Sequence, residues 1–277
     1  MNWFIDYWDD VICQWFSGNI ESKQQLFLNE TSLKLNPEHM PEPYWGDPEN
    51  CSIVIANYNP GGGADRNRHT WRECACCPES FINQVKQNGY FNVVKEFPII
   101  DKPSEQYDPL NKGVCWRQEY GGRGWWLKKK KWLDENILNL YPHENLNNKP
   151  FAIEFCAWHS LNWPSKACQS LYQKKRIGPV INRFFIEALV DAVHNSDTKL
   201  GVCVGSQFYH LFDAMLKCSI CVQHVSSQTN NSKINLHLFR IDGANILVLW
   251  GKGRNRYPNG MQKEISTFLN LNNISFI

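Results

Sequence analysis

The chain contains four short runs of apolar residues, at 52–56, 151–156, 200–204 and 246–250. Each run is continuously hydrophobic rather than alternating, which is typical of strands that are buried on both faces of a parallel sheet. We therefore expect these four runs to form the central strands of the fold.

Helical patterns lie between or after these runs. Apolar residues recur at three- and four-residue spacing in 177–194, 206–216 and 261–271. A strand–helix rhythm requires right-handed crossover connections. The pattern therefore predicts an α/β fold, a three-layer α/β/α sandwich with a central four-stranded, mainly parallel sheet.

The domain organisation is predicted from the segments that lie outside the alternating strands and helices. We find no internal repeat and no break in composition that would mark a linker. We expect a single domain over 1–277, with an N-terminal helical extension at 1–45 and an insertion at 98–150 that is rich in Pro, Gly, Lys and Trp. A second, less readable insertion spans 218–244.

Composition changes this picture in two respects. The net charge of the whole chain is only +2, which does not by itself indicate a nucleic-acid partner. Any anionic partner must therefore bind local basic patches. Eleven cysteines form an odd set without a repeating framework, which indicates reduced thiols in a cytosolic protein. Cys74, Cys76 and Cys77 invite a metal or iron–sulfur site, but their spacing departs from C-x₂-C, and free thiols are favoured.

The chain also lacks membrane signals. Its first residues are acidic and amphipathic without a basic stretch, which excludes a signal peptide. No apolar run reaches the roughly 20 residues of a membrane span. We expect a cytoplasmic protein with no membrane partner.

Polar or glycine-rich segments follow all four predicted strands. In chain order they are NYNPGGGADR, AWHSLNWPSK, GSQFYHLF and GKGRNRYPNG. Ligands of parallel sheets bind beyond the carboxyl ends of the strands. The four segments are therefore expected to converge on one site.

Several chemistries are disfavoured at this site. The chain contains neither the P-loop string nor the G-x-G-x-x-G dinucleotide fingerprint, and it has no G-x-S-x-G hydrolase elbow. The clustered carboxylates of a metal-dependent nuclease are also missing from the sequence. We expect no cofactor and no catalytic metal.

Three stretches resemble the uracil-DNA glycosylase superfamily: IVIANYNPGGG, GVCVGSQFYHLF and, more weakly, NILVLWGKGRNRYP. The first is similar to the catalytic motif of the mismatch-specific branch, in which an Asn precedes Pro-Gly. The third falls where the family places its DNA-penetrating loop, but the usual His-Pro-Ser or Asn-Pro-Ser is absent. Which residue of 251–258 assists catalysis therefore stays open. The resemblance runs in order through most of 50–272.

The resemblance implies that Asn59 is catalytic. Breaking an N-glycosidic bond passes through an oxocarbenium-like sugar and needs a positioned water. An amide oxygen can orient that water but cannot act as a general base, which predicts slow catalysis dominated by positioning. Asp65 is the nearest ionisable alternative. Each residue also has a structural interpretation. Asn59 could serve only to cap the turn at Pro60, and Asp65 could serve only to pair with a neighbouring arginine.

The expected base-binding residues are Tyr58, Gly61, Gly62, His159 and Asn162. The uracil-specific branch is expected to carry a Tyr after the motif's Pro that walls off the pyrimidine C5 position. Three glycines stand here instead, which leaves room for a C5 substituent, unless they only permit positive φ in a tight loop. Trp158 and Trp163 either stack on a base or sugar or pack at strand ends.

Basic residues supply the expected DNA contacts. Lys128, Lys129 and Lys130 lie beside tryptophans in GGRGWWLKKKKW, where they contact phosphates or form a solvated face. Lys252, Arg254 and Arg256 follow the last strand, so their loop should face the site. One of them, or Tyr257, is a candidate to fill the gap left by a flipped nucleotide.

The sequence therefore predicts a monofunctional DNA glycosylase that flips a modified base and leaves an abasic site. Its expected partner is DNA, with double-stranded DNA favoured, and no protein partner is indicated. The sharpest guess is a C5-substituted pyrimidine such as glucosylated hydroxymethylcytosine in phage DNA, which would be anti-phage defence. The alternatives are a repair glycosylase for uracil or mismatched thymine and a non-enzymatic nucleic-acid or nucleotide sensor on the same fold.

Overall fold

The structure is a computed structural model that describes residues 1–30, 33, 35–38, 40–58, 79–95, 131–142, 149–160, 163–164, 166–217, 221–228, 234–251 and 260–274. Side chains within 79–82 and 159–160, and that of Asn36, are not described.

Two sheets lie within these residues. The larger has seven strands in the order β2–β4–β3–β6–β9–β8–β7, and the smaller pairs β1 with β5 in antiparallel orientation. The strand bounds are β1 Leu35–Asn36, β2 Tyr44–Trp45, β3 Ile53–Asn57, β4 Pro150–Glu154, β5 His159–Ser160, β6 Leu200–Val204, β7 Val222–Gln228, β8 Ile234–Ile241 and β9 Ala244–Gly251.

The four predicted strands are confirmed as parallel neighbours in the order β4–β3–β6–β9. Ile55 of β3 lies opposite Ala152 of β4 and Val202 of β6, and Val202 lies opposite Leu247 of β9. Every residue of β3, β4 and β6 is buried, as the continuous apolar runs predicted.

The prediction of a four-stranded sheet was incomplete, because the sheet is mixed and has seven strands. β2 joins one edge antiparallel to β4, and β8 and β7 extend the other edge as antiparallel strands. Both β7 and β8 lie in 218–244, which the sequence marked only as an insertion. β7 is an edge strand whose sequence VQHVSSQ is mostly polar and exposed, so it lacks the apolar pattern that identifies a buried strand.

Eight helices are named here by their position in the chain. Their bounds are α1 Asn2–Phe16, α2 Ser22–Glu30, α3 Glu79–Asn88, α4 Tyr90–Val94, α5 Ala167–Tyr172, α6 Gly178–Ile181 with Asn182–Glu187 and Ala188–Asn195, α7 Ser206–Leu216 and α8 Gln262–Leu271. The middle part of α6 is π-helical. The three helices predicted from periodicity are confirmed as α6, α7 and α8, each to within one residue.

α1 belongs to the hydrophobic core. Its apolar residues recur at helical spacing, so Phe4, Trp8 and Val11 are buried on one face. On the other side, Asp9 accepts hydrogen bonds from the backbone N–H groups of Tyr90 (2.9 Å) and Phe91 (3.2 Å). This carboxylate therefore caps the first turn of α4 and holds α1 against it.

α6 packs directly on the parallel strands and contacts β3, β6 and β9. The contact is close because Gly201 lies in the middle of β6. A Cβ at this position would approach Val193 Cγ2 and Ile246 Cδ1 to 2.8 Å each. The glycine therefore lets the helix approach the sheet.

Among the helices that the structure describes, none combines the length and apolar character needed to cross a membrane.

Candidate functional site

The four parallel strands have their carboxyl ends on the same side of the sheet. The chain passes from β3 to β4 on one side and then returns to β6 on the other side of β3. The carboxyl ends of β3 and β6 are thus adjacent, at the point where the strand connections diverge. Such a topological switch point is where open parallel sheets bind ligands.

Tyr58 lies at this switch point, directly after β3. Its ring lies 4.8 Å from the ring of Phe208 and is parallel to that of Trp163 at 6.2 Å. Its hydroxyl accepts a long hydrogen bond of 3.4 Å from the backbone N–H of Gln207. Tyr58, which the sequence predicts to bind a base, therefore lies at the expected carboxyl ends of the strands. It is buried there and joins β3 to the start of α7.

Gly205 makes this contact possible. It precedes α7 with φ of +123°, a conformation that favours glycine, and a Cβ there would lie 1.6 Å from Tyr58 Oη. The GSQF sequence thus keeps the turn between β6 and α7 free of a side chain where the tyrosine enters.

A pair of buried polar residues lies between the neighbouring ends of β3 and β4. Asn57 and Glu154 are the last residues of these strands and lie opposite each other in the parallel register. Asn57 Nδ2 donates a hydrogen bond of 3.3 Å to Glu154 Oε1, and the two residues are only 5% and 6% exposed. The sequence analysis did not single out either residue. The available signal was an ionisable residue closing an otherwise apolar strand, in FAIEF.

A small cavity lies behind Glu154, between the end of β4 and three helices. Its lining combines α1 and α2 residues with the segment after β4 and with α6: Trp8, Gln24, Phe27, Glu154, Phe155, Cys156, Ala157, Trp158, Val180, Ile181, Phe184 and Phe185. The cavity volume is about 20 Å³, which is room for a water molecule and not for a nucleobase.

Trp158 forms one wall of this cavity and is 1% exposed. Its Nε1 donates a hydrogen bond of 2.9 Å to Gln24 Oε1, and Gln24 Nε2 donates to Tyr7 Oη at 2.9 Å. Of the two interpretations of Trp158, packing at a strand end is the one that fits this environment. Burial is the main reason that the pKa of Tyr7 is raised, so its hydroxyl stays neutral within this network.

The π-helical stretch of α6 faces the same cavity, because it contains Phe184 and Phe185, which both line the cavity. Phe185 contacts Phe155 edge-on at 5.1 Å and stacks near Phe208 at 5.9 Å. An aromatic chain therefore joins the cavity behind Glu154 to Tyr58 at the end of β3. Isolated π-helical turns are frequent at functional sites, since they redirect side chains without ending a helix.

A second cluster surrounds Trp250, the penultimate residue of β9. The ring of His237 stacks on Trp250 at 5.1 Å, and that of Tyr209 lies 4.4 Å from His237. His237 Nδ1 also lies 3.2 Å from His224 Nε2, a hydrogen bond whose donor depends on the tautomers. Burial, and secondarily His224, lowers the pKa of His237 to about 4. This side chain is therefore neutral at physiological pH and serves as a stacking partner for the strand that leads into the basic segment.

His237 should make stability depend on pH. Its native pKa of about 4 lies below the 6.5 of an unperturbed histidine, so the unfolded chain binds this proton more readily. The stabilisation is fully present above pH 6.5 and is lost as the pH falls from 6.5 to about 4. We expect the free energy of unfolding, measured with urea, to drop by about 1–3 kcal/mol more in wild type than in His237→Phe over this interval. Equal drops in the two proteins would show that His237 does not carry this effect.

Most residues predicted for the site lie outside the described residues: Asn59, Gly61, Gly62, Asp65, Lys128, Lys129, Lys130, Asn162, Lys252, Arg254 and Arg256. His159 lies in β5, where its backbone is opposite Asn36 of β1, but its side chain is not described. Their roles stay predictions. The structure does place the strands that precede two of these segments, since β3 leads into 59 and β9 leads into 252.

Six cysteines are described, and the four buried ones are free thiols: Cys51, Cys156, Cys168 and Cys203. Burial raises the pKa of Cys51 to about 12 and also raises that of Cys156, so these thiols pack rather than react. Within the described part of the chain, no group of three or more His, Cys, Asp or Glu residues could hold a metal. Cys74, Cys76 and Cys77 lie outside it.

Comparison with known proteins finds no family model that matches the chain. No curated protein and no solved structure matches it either.

Proposed function

We propose that the protein is a DNA glycosylase that flips a modified base from the duplex and hydrolyses its N-glycosidic bond. The observation that carries the proposal is the convergence of strand ends. The motif segment beginning at Asn59 continues from β3, and the segment carrying Lys252, Arg254 and Arg256 continues from β9, at the carboxyl ends of the parallel strands of one sheet. Catalytic and phosphate-binding groups are needed side by side for such a reaction.

The proposal includes the three-layer α/β/α arrangement that the sequence predicts. The contacts of α6 with β3, β6 and β9, and those of α7 with β7 and β9, support it. In this arrangement the helices shield the faces of the sheet, and the carboxyl ends of the strands remain the place for DNA.

The roles proposed within the site follow from the chemistry of each residue. Asn59 orients the attacking water through its side-chain oxygen, with Asp65 as the alternative ionisable group. Gly61 and Gly62 leave space beside the pyrimidine C5 position. The basic residues of 252–256 and Lys128–Lys130 hold the phosphates of double-stranded DNA, and no cofactor takes part. The proposed substrate is a C5-substituted pyrimidine, and in phage DNA its removal would be a defence.

Base release from defined duplexes tests this proposal. The duplexes carry uracil, mismatched thymine, 5-hydroxymethylcytosine or glucosylated hydroxymethylcytosine at one labelled position, and abasic sites are read by alkaline cleavage. We expect cleavage of at least one modified-cytosine duplex and little of the unmodified control. Release of uracil or mismatched thymine alone would favour a repair enzyme. Tight DNA binding without abasic sites on any duplex would contradict the proposal and favour a sensor.

A further inference from the structure

We propose that His224 and His237 together bind a zinc ion, which links the edge strand β7 to β8. The proposal goes beyond the glycosylase function and does not depend on it. The two strands are antiparallel neighbours, and His224 lies opposite Phe239, two residues after His237 in β8. Side chains two residues apart in a strand share a face, so both imidazoles lie on one face of the sheet as diagonal neighbours.

The distance between the two imidazoles suits a tetrahedral zinc ion. His237 Nδ1 and His224 Nε2 lie 3.2 Å apart, where they share a hydrogen bond. Zinc binds imidazole nitrogen at about 2.0–2.1 Å in tetrahedral geometry, which places two such nitrogens about 3.3 Å apart. A square-planar ion would require a separation nearer to about 2.9 Å. The pair is therefore already spaced as two ligands of zinc.

The protonation of the pair is also compatible with metal binding, which requires neutral imidazoles. Burial, and secondarily His224, lowers the pKa of His237 to about 4, so this ring is neutral at physiological pH. One of the two facing nitrogens carries the proton of the shared hydrogen bond. When zinc binds, that ring exchanges this proton through solvent for one on its far nitrogen. Two neutral imidazoles thus bind the ion without a net change in protonation.

Aromatic neighbours hold the buried imidazole in place. The ring of His237 stacks on Trp250 at 5.1 Å with an interplanar angle of 3°, and the ring of Tyr209 lies 4.4 Å away. His224 stacks on Phe239 at 4.7 Å but is exposed. The ring of His237 is therefore fixed, while that of His224 can turn its lone pair toward an ion that arrives from solvent. A ligand locked by packing pre-organises a metal site.

Two imidazoles make a site of modest affinity. Within the part of the chain that the structure describes, no third His, Cys, Asp or Glu joins the pair. The proposed site has water in its remaining positions, so it binds zinc more weakly than a structural site with four protein ligands. The bound ion links the largely exposed β7 to the largely buried β8. Because the unfolded chain lacks this arrangement, zinc stabilises the native state.

Zinc binding to the full-length, untagged protein tests the proposal. The protein is stripped with a chelator and then equilibrated with zinc chloride by dialysis, for wild type, His224→Ala and the matched control His210→Ala. His210 lies on α7 beside Tyr209 and outside the pair. We expect His224→Ala to lose one zinc ion, or to bind it at least about 10-fold more weakly, and His210→Ala to match wild type. Because the readout is a difference between variants, zinc bound elsewhere in the chain does not affect it.

Thermal unfolding with and without zinc measures the link between the strands. We expect zinc to raise the Tm of wild type and of His210→Ala but not that of His224→Ala. His224→Gln is a second variant, because its amide can still form a hydrogen bond with His237 but is a poor ligand for zinc. It should keep the Tm of metal-free wild type, which shows that it folds, and lose the rise that zinc causes.

Two results would overturn the proposal. The first is equal zinc binding, in number and affinity, by wild type and His224→Ala. The second is a zinc-dependent rise in Tm that His224→Gln retains, because the imidazole of His224 would then not bind the ion. Neither measurement involves DNA, so failure of the glycosylase proposal and failure of the zinc site are separate outcomes.

Discussion

Replacing Asn59 with alanine is expected to lower kcat for base release by about 100- to 1,000-fold while leaving DNA affinity within a few-fold of wild type. The reason is that the amide positions the attacking water but cannot take its proton, so its whole contribution is to geometry. The phosphate contacts that dominate DNA affinity come from other residues. Single-turnover base release and a binding titration at fixed salt measure the two quantities.

A matched Asn→Ala control is available at Asn270, an exposed residue in the last turn of α8. Asn270→Ala should release base at the wild-type rate. If Asn59→Ala also kept the wild-type rate, Asn59 would only shape the turn before Pro60. The same assay with Asp65→Asn would then test the remaining ionisable candidate.

Gly205→Ala is expected to have the largest effect on stability, with a loss of about 2–5 kcal/mol in the free energy of unfolding. Two causes act together: φ of +123° is unfavourable for alanine, and the new Cβ would lie 1.6 Å from Tyr58 Oη. The turn between β6 and α7 and the end of β3 must then move apart. Urea unfolding monitored by tryptophan fluorescence measures the loss.

Gly18→Ala separates the two causes. Gly18 also has positive φ, +78°, but nothing lies within 4 Å of its Cβ position. We expect this control to lose only about 1–2 kcal/mol, the cost of the backbone conformation alone. A loss in Gly205→Ala no larger than in Gly18→Ala would mean that Tyr58 does not press against the turn.

The sequence predicted those strands and helices whose burial requires a recognisable apolar pattern. Strands buried on both faces must be continuously apolar, and α6, α7 and α8 must each carry an apolar stripe, so their bounds were predictable to within about two residues. β7 was not predictable in this way, because an edge strand can be polar. β1, β2 and β5 have two residues each, which is too short for any periodicity.

The position of Tyr58 in the fold was predictable from the sequence, whereas the contact between Asn57 and Glu154 was not. The rule that ligands bind at the carboxyl ends of parallel strands identified Tyr58, and the structure places it at the switch point between β3 and β6. The Asn57–Glu154 pair joins residues 97 positions apart, so it depends on the lateral order of the strands, which a single sequence does not specify. The π-helical stretch of α6 also has no periodic signal, since 177–194 reads as an ordinary amphipathic helix.

Detection of the free base tests the central claim most directly. Modified-cytosine duplex is incubated with wild type and with Asn59→Ala in the presence of a chelator, and the small-molecule fraction is analysed by liquid chromatography and mass spectrometry. The account predicts the intact modified base as the released product, in equal amount to abasic sites, from wild type and not from Asn59→Ala. Release of nucleotides, or no small product while DNA remains bound, would contradict it.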